Sequence, residues 1–350
     1  MRWIEMPGVT LKTVAKAVGV SPSTVSNAYN KPDQLSTALR ERILATAQEL
    51  GYAGPDASAR ALRSGKAGAV GVLFTDKLAY AFSDPYAVGF LAGLAEVAEE
   101  FATSLLLMPL SSTDIAGGST AVQQAAIDAA AIFCVPGGHP ALEILANRGI
   151  PVVSTDRGDH PDLSWVAIDE VEAAAQLGEH LARLGHRDVV VLVDNAQAAG
   201  GRPVELTLDE VGYTDCELRI QGLQKTMPDA RLRIVSGGHN AFASGLRGAE
   251  YVLDSQDRPT AIVGLSDVQA LGAMEAMKVR GLTPGRDLTL AGFDDIPAAS
   301  AAGLTTVRQP IKDKGRAVGR ILLDPATTER QLLMPTQLIV RSSSGPAPKR

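Results

Sequence analysis

The chain has 350 residues, 45% of them hydrophobic and 21% charged, and a net charge of −6. No run approaches the roughly 20 apolar residues of a membrane span, and the N-terminus lacks the basic, apolar and small-residue pattern of a secretory leader. The two cysteines, Cys134 and Cys216, and the five scattered histidines have no metal-ligand spacing, so a cytoplasmic protein without membrane partner, metal or cofactor is expected.

Residues Thr10 to Asn30, TLKTVAKAVGVSPSTVSNAYN, read as two short helices around a tight turn. Thr10 is an N-cap, because its hydroxyl can accept from the free N–H groups of the first turn. Leu11, Val14, Ala15 and Val18 recur at helical spacing and mark one buried stripe. Gly19 sits where the chain turns, Ser21 offers a second N-cap, and Pro22 suits the first helical position, where its missing N–H loses nothing. Val25 is a buried contact, and Ser23, Thr24, Ser26 and Asn27 form the exposed polar face. A short polar helix held by an apolar one is how a helix-turn-helix reaches the major groove. A third helix, TALRERILATAQELGY, is capped by Ser36 and carries Leu39, Ile43, Leu44, Ala47 and Leu50 on one side. The segment 57–66, ASARALRSGK, follows; at ten residues it is too short to be a stable helix alone in water. Residues 1–66 hold nine Lys/Arg against five acids, +4, which leaves −10 for the rest. A basic head on an acidic body suits contacts to DNA phosphates.

Beyond the head, short apolar runs alternate with amphipathic stretches. The runs are 69–74, 104–108, 130–135 and 151–155, then 188–193, 231–236, 260–265 and 288–293. Such alternation predicts parallel sheets with covering helices. A break falls near Trp165–Asp169, after which a long helix restarts the pattern. Cys134, inside a run, reads as a buried inert thiol, and His186 as a cation at a helix end, where the dipole is negative. The Ser-, Gly- and Pro-containing tail 342–350 reads as disordered. The chain lacks the dinucleotide-binding, P-loop, zinc-protease and nucleophile-elbow signatures, so an enzyme is not expected.

The order V-A-x-x-x-G-V-S-x-x-T-V-S, then a Ser-capped helix ending E-L-G-Y, resembles the headpiece of LacI-type bacterial transcription regulators. Further signposts are Asp156-Arg157, Ile168–Glu170, Leu184–Arg187, Ser266–Gly272, Gly292–Asp295 and Leu304–Pro310. The resemblance covers nearly the whole chain. It implies an all-α helix-turn-helix headpiece at 8–56, a hinge helix at 57–66 and a periplasmic-binding-protein-like α/β core at 67–341. The core would have two lobes joined by three crossing strands, lobe one about 67–167 and 297–325, lobe two about 168–296 and 326–341.

The function so implied is sequence-specific DNA binding, as a repressor controlled by a small polar metabolite, a sugar or a related compound, in the cleft between the lobes. The alternatives are a regulator whose degenerate cleft yields control to a protein partner and, remotely, an α/β enzyme. By the resemblance, Leu11, Ser21, Pro22, Ser23, Ser26, Asn27, Asn30 and Ser36 serve DNA binding, and Leu62 stands where a leucine wedges into the minor groove. Phe82, Asp156, Arg219, Asn240 and Asp267 are the candidate effector residues, with Arg202 a competitor to Arg219 because the stretch before it is long. Carboxylates that accept two hydroxyl hydrogens at once suit polyols. A homodimer on a pseudo-palindromic operator is expected. No Leu-rich heptads follow Arg341, so a coiled-coil tetramer is not.

Overall fold

The computed structural model describes residues 9–54, 65–75, 78–110, 115–135, 138–157, 162–195 and 202–349. The chain forms two compact units, 1–67 and 68–350. Most of the expected hinge, Leu62 included, lies outside the described residues. No helix among the described residues is long and apolar enough to cross a membrane.

The first unit is a three-helix head. Thr10 caps α1 (Leu11–Val18) through a capping box with Thr13, and Gly19 takes φ +74°, a left-handed turn that costs glycine least. Ser21 caps α2 (Pro22–Asn30), its hydroxyl accepting from the Thr24 N–H at 3.1 Å. Ser36 caps α3 (Thr37–Glu49) in the same way. Val14, Val25 and Ile43 meet at the centre with no exposed surface. Burying each stabilises the head by about 1.5–3 kcal/mol. Two expectations change. Leu50 falls beyond the last turn of α3 and is exposed, and Ser26 is buried on the inner side of α2.

In the second unit the chain first builds lobe one. It runs through β1 (Ala69–Phe74), α4 (Tyr80–Ser83), α5 (Pro85–Glu100), β2 (Ser104–Pro109), α6 (Ile115–Gln124), β3 (Ala129–Phe133), α7 (Pro140–Asn147), β4 (Val152–Ser154) and β5 (Ser164–Ile168). It then crosses to lobe two as α8 (Glu170–Arg183), β6 (Asp188–Val193), β7 (Val204–Leu206), α9 (Thr214–Thr226), β8 (Arg231–Ser236), α10 (Phe242–Leu253), β9 (Ala261–Gly264), α11 (Asp267–Val279), β10 (Thr289–Asp294), α12 (Pro297–Ala301) and β11 (Thr305–Arg308). It returns for α13 (Ile311–Leu323) and β12 (Gln331–Met334), and crosses a last time into β13 (Gln337–Ile339).

The sheet of lobe one, β12-β5-β4-β3-β1-β2, is parallel throughout. That of lobe two, β13-β11-β10-β9-β6-β8-β7, is parallel inside with antiparallel edge strands β13 and β7. All eight apolar runs are strands, though the third ends at Phe133 and Cys134 already turns away with φ +51°. The expected lobe limits shift. β11 pairs with β10, so residues 297–308 belong to lobe two; β12 pairs with β5, so residues 326–334 belong to lobe one. Neither TTVR nor QLLM is an uninterrupted apolar run, which is why the pattern did not reveal them.

Glycines set the helix packing. A Cβ on Gly93 of α5 would collide with the Lys312 carbonyl of α13, and one on Gly315 with the Phe90 carbonyl. Gly222 of α9 meets Val171 of α8 in the same way, and Gly245 of α10 meets Gln269 of α11. These helix pairs therefore touch backbone to backbone.

The tail is docked, not disordered, over its described residues 342–349. Ser343 is buried, donates to the Leu290 carbonyl at 2.6 Å and accepts from the Thr305 N–H at 2.7 Å. Gly345 donates its N–H to Thr289 Oγ1 at 3.0 Å and lies against Gly285 with no room for a side chain. Its carbonyl accepts from His186 Nε2 at 3.0 Å. Small polar residues, read as a sign of disorder, are here what lets the tail lie against lobe two. His186 is structural as expected, yet not as a cation: it is fully buried, and burial holds its pKa below the ordinary histidine value.

Candidate functional site

Parallel strands put their carboxyl ends on one edge of each sheet, and ligands of open α/β sheets bind there. Both sheets point that edge at one cavity. Lobe one supplies Thr75 after β1, Cys134 after β3, Asp156 after β4 and, two residues beyond β5 where the chain crosses over, Glu170; lobe two supplies Asp194, Ser266 and Asp294, each at or just beyond a strand end. Its free space is about 90 Å³.

Arg219 is the centre of the lobe-two wall. Its Nε donates to Glu170 Oε2 at 2.7 Å and its Nη1 to the Leu265 carbonyl at 2.6 Å; Asp215 lies 3.8 Å from Nη2. The guanidinium carbon stands 3.9 Å over the Phe293 ring, a cation–π contact in a dry setting. Burial alone would lower its pKa, but Glu170 and Asp215 hold it well above the usual arginine value. From lobe one, Lys314 of α13 donates to Tyr86 Oη at 3.1 Å and is 2% exposed. Burial again pulls downward, and Tyr86, Asp156 and Glu170 outweigh it, keeping the ammonium charged.

Carboxyls dominate the lining: Asp84, Asp156, Glu170, Asp194, Asp215 and Asp294. Burial raises Asp156 against the pull of Lys314, raises Glu170 against Arg219, and raises Asp84 although Tyr80 donates to it. Asp294 is held well above the usual carboxylate range by burial, with Gln309 Nε2 donating to it at 2.8 Å. Its φ of +119° is an outlier for a residue with a side chain, the kind of strain that collects at functional sites. Asp295 beside it is braced by Arg341 at 2.6 Å and Arg308 at 2.7 Å.

One hydrogen-bond chain crosses between the lobes. Tyr80 donates to Asp84 at 2.6 Å and accepts from Asn240 Nδ2 at 3.2 Å, while the Ser266 hydroxyl donates to Asn240 Oδ1 at 2.5 Å.

Of the five candidate effector residues, the structure brings Asp156, Arg219 and Asn240 together. Phe82 and Asp267 are corrected. Phe82 is 66% exposed, because two residues on from Tyr80 a helix points its side chain to the opposite side. Asp267 is fully buried and clamps the fold: its oxygens accept from Thr306 Oγ1 at 2.6 Å and from the Ile296 N–H at 2.9 Å. Burial pushes its carboxyl up to about 7. Arg202 is exposed and does not line the cavity. Glu170, Asp194 and Asp294 were missed although their strand-end positions mark them; Asp215 and Lys314 arrive on helices, and Asp84 at the N-cap of α5, where the local signal is of a helix start and not of a binding role. Cys134 and Cys216 also line the cavity, their thiols held well above the ordinary range by burial.

On the head, Ser21, Pro22, Ser23, Asn30 and Ser36 are exposed, and Asn27 and Leu11 are half-buried. Asn27 Nδ2 donates to Gln34 Oε1 at 3.2 Å. Ser26 is not presented with them: it faces inward, and its hydroxyl accepts from Asn30 at 3.2 Å.

Residues 10–54 match the model of the bacterial regulatory proteins of the lacI family, and residues 179–344 that of a periplasmic binding protein-like domain. The chain is 38% identical to an HTH-type transcriptional regulator of Mycolicibacterium smegmatis, over 96% of each chain. It is 31% identical to a LacI-family transcriptional regulator of Corynebacterium glutamicum, with a TM-score of 0.71 over 97% of this chain and 99% of that one. The lac repressor dimer bound to operator and the anti-inducer ONPF shares the fold, with a TM-score of 0.77 at 24% identity over 96% of this chain and 99% of that one.

Proposed function

Since this chain belongs to the lacI family of bacterial regulatory proteins and is a DNA-binding transcriptional regulator, we propose that it is a homodimeric repressor whose operator affinity is set by a small polar metabolite held between the lobes. The carrying observation is the convergence of both sheets' carboxyl ends on one cavity lined by acids from both lobes and by the amides of Asn240 and Gln269 from lobe two. Such groups accept hydroxyl hydrogens in pairs, as a sugar or related compound would offer them. A molecule touching both walls alters the lobe arrangement only by the difference in its affinity for each state. The low-molecular-weight fraction of a cell extract should therefore change operator affinity by about 5–150-fold, read by fluorescence anisotropy. An inert extract would leave a regulator controlled by a protein partner or by nothing.

Operator reading falls to α2. Pro22, Ser23 and Asn27 face outward in whole or part, and Asn pairs best with adenine N6 and N7. Selection from random DNA should return adenine opposite Asn27, and Asn27→Ala should lose that preference, worth about 1–3 kcal/mol. Guanine at that position, unaffected by the substitution, would refute the assignment. Leu62, in the family's hinge position, is the proposed minor-groove wedge.

A further inference from the structure

On the reading of adenine by Asn27 proposed above, we infer that Gln34 is a positioning residue for the operator: by holding one amide hydrogen of Asn27 it commits that side chain to adenine and against guanine. Asn27 Nδ2 donates to Gln34 Oε1 at 3.2 Å, across the end of α2. The two meet because α2 stops between them. The Lys31 N–H closes the last turn on the Asn27 carbonyl at 2.8 Å, and Pro32–Gln34 then form a 3₁₀ turn. Pro32 fixes the first φ of that turn. The Gln34 N–H donates to the Lys31 carbonyl at 3.1 Å, and the Leu35 N–H to that of Pro32 at 3.1 Å. Leu35 packs against the core of the head and Ser36 caps α3, so the chain is anchored on both sides of Gln34. Asn30, one turn beyond Asn27, spends its own Nδ2 on Ser26, at 2.9 Å from the carbonyl and 3.2 Å from the hydroxyl. Asn27 is therefore the asparagine of α2 with an amide left for DNA.

The hydrogen-bond inventory of that one amide decides the base. An asparagine has two N–H donors on Nδ2 and one acceptor oxygen, Oδ1. In the major groove adenine presents an acceptor, N7, and a donor, N6–H, whereas guanine presents two acceptors, N7 and O6. Pairing with adenine takes Oδ1 and the N–H beside it. The second N–H points away from that pair, and it is the one Gln34 can keep. Pairing with guanine would take both N–H groups, so Asn27 would have to give up Gln34. Without Gln34 the amide turns freely, and the two purines come closer in affinity. The bond also fixes the plane of the amide before DNA arrives, which lowers the freedom lost on binding. Gln34 is exposed and Asn27 half-buried; water competes for such a bond, so its loss leaves the head folded.

The test takes the full-length protein and two DNA duplexes, read by fluorescence anisotropy. One is the operator returned by selection from random DNA; the other has guanine in place of the adenine opposite Asn27. Gln34→Ala should cut the preference for adenine over guanine by roughly 3–10-fold, the net worth of one hydrogen bond. Its melting temperature and its affinity for unrelated DNA should stay those of the parent. Gln34→Glu keeps an acceptor for Asn27. It should bind both duplexes more weakly, through its charge against the phosphates, yet keep the parent's preference. Gln34→Ala added to Asn27→Ala should change the preference no further, since the two residues act through one contact. Three results would each overturn the assignment and leave Asn27 as the reader: an unchanged preference in Gln34→Ala, a loss in Gln34→Glu equal to that in Gln34→Ala, or a shift of base choice at another position of the operator. A selected base other than adenine opposite Asn27, or base choice unaffected by Asn27→Ala, would remove that reading, and the assignment with it.

Discussion

Arg219→Ala should destabilise the second unit by about 3–5 kcal/mol, the usual cost of stripping one partner from a buried ion pair. The change leaves Glu170 buried without its 2.7 Å partner and the Leu265 carbonyl without its donor. Loss of folded protein should thus appear before any loss of effector affinity. The defect also has a pH signature. Burial already raises the Glu170 pKa, and losing the guanidinium raises it further. A carboxyl whose folded pKa lies above its unfolded value takes up a proton on folding, so its contribution is present at low pH and lost as pH rises through the folded pKa. Urea unfolding should therefore show a larger gap between variant and parent at pH 8 than at pH 5.5. Arg219→Met combined with Glu170→Gln should regain much of the loss. A single variant within about 1 kcal/mol of the parent at pH 8 would show that the pair stabilises nothing.

Deleting residues 342–350 should cost at least about 2 kcal/mol. The deletion removes the hydrogen bonds made to the tail by the Leu290 carbonyl, the Thr305 N–H, Thr289 Oγ1 and His186 Nε2, at a net of about 0.5–1.5 kcal/mol each. Burial keeps His180 and His186 below the ordinary histidine pKa, and both contact the tail, at Ser344 and Gly345. A base with a depressed folded pKa binds fewer protons when folded, so its contribution is lost as pH falls through the unfolded value, about 6.5. Acidification from pH 7.5 to 5.5 should therefore narrow the gap between the full chain and the truncated one. Equal melting temperatures for the two would refute the docked tail.

The head was legible in the sequence almost residue by residue, because its caps, its turn glycine and its apolar stripe are local signals. Most of the buried strands were legible too, since they are uninterrupted apolar runs; β11, whose Thr305 and Thr306 are fully buried, was not. What escaped depends on distant partners. TTVR and QLLM become strands because β10 and β5 offer them an edge, and the tail is ordered because Thr289, Thr305 and His186 receive it. Asp156 could be found from its strand end, while Asp267 was misjudged because its neighbours Thr306 and Ile296 lie 39 and 29 residues away.

The three crossings between the lobes carry a consequence for inheritance. A single recombination breakpoint anywhere between residues 169 and 334 would give at least one lobe a sheet drawn from two parents, since β12 of lobe one is encoded after every strand of lobe two but β13. Near residues 67 and 68, by contrast, one exchange leaves both compact units whole. Genes of this architecture should therefore trade heads readily, coupling an old sensor to a new operator, whereas a new sensor must arise within an intact core by point substitution around the cavity.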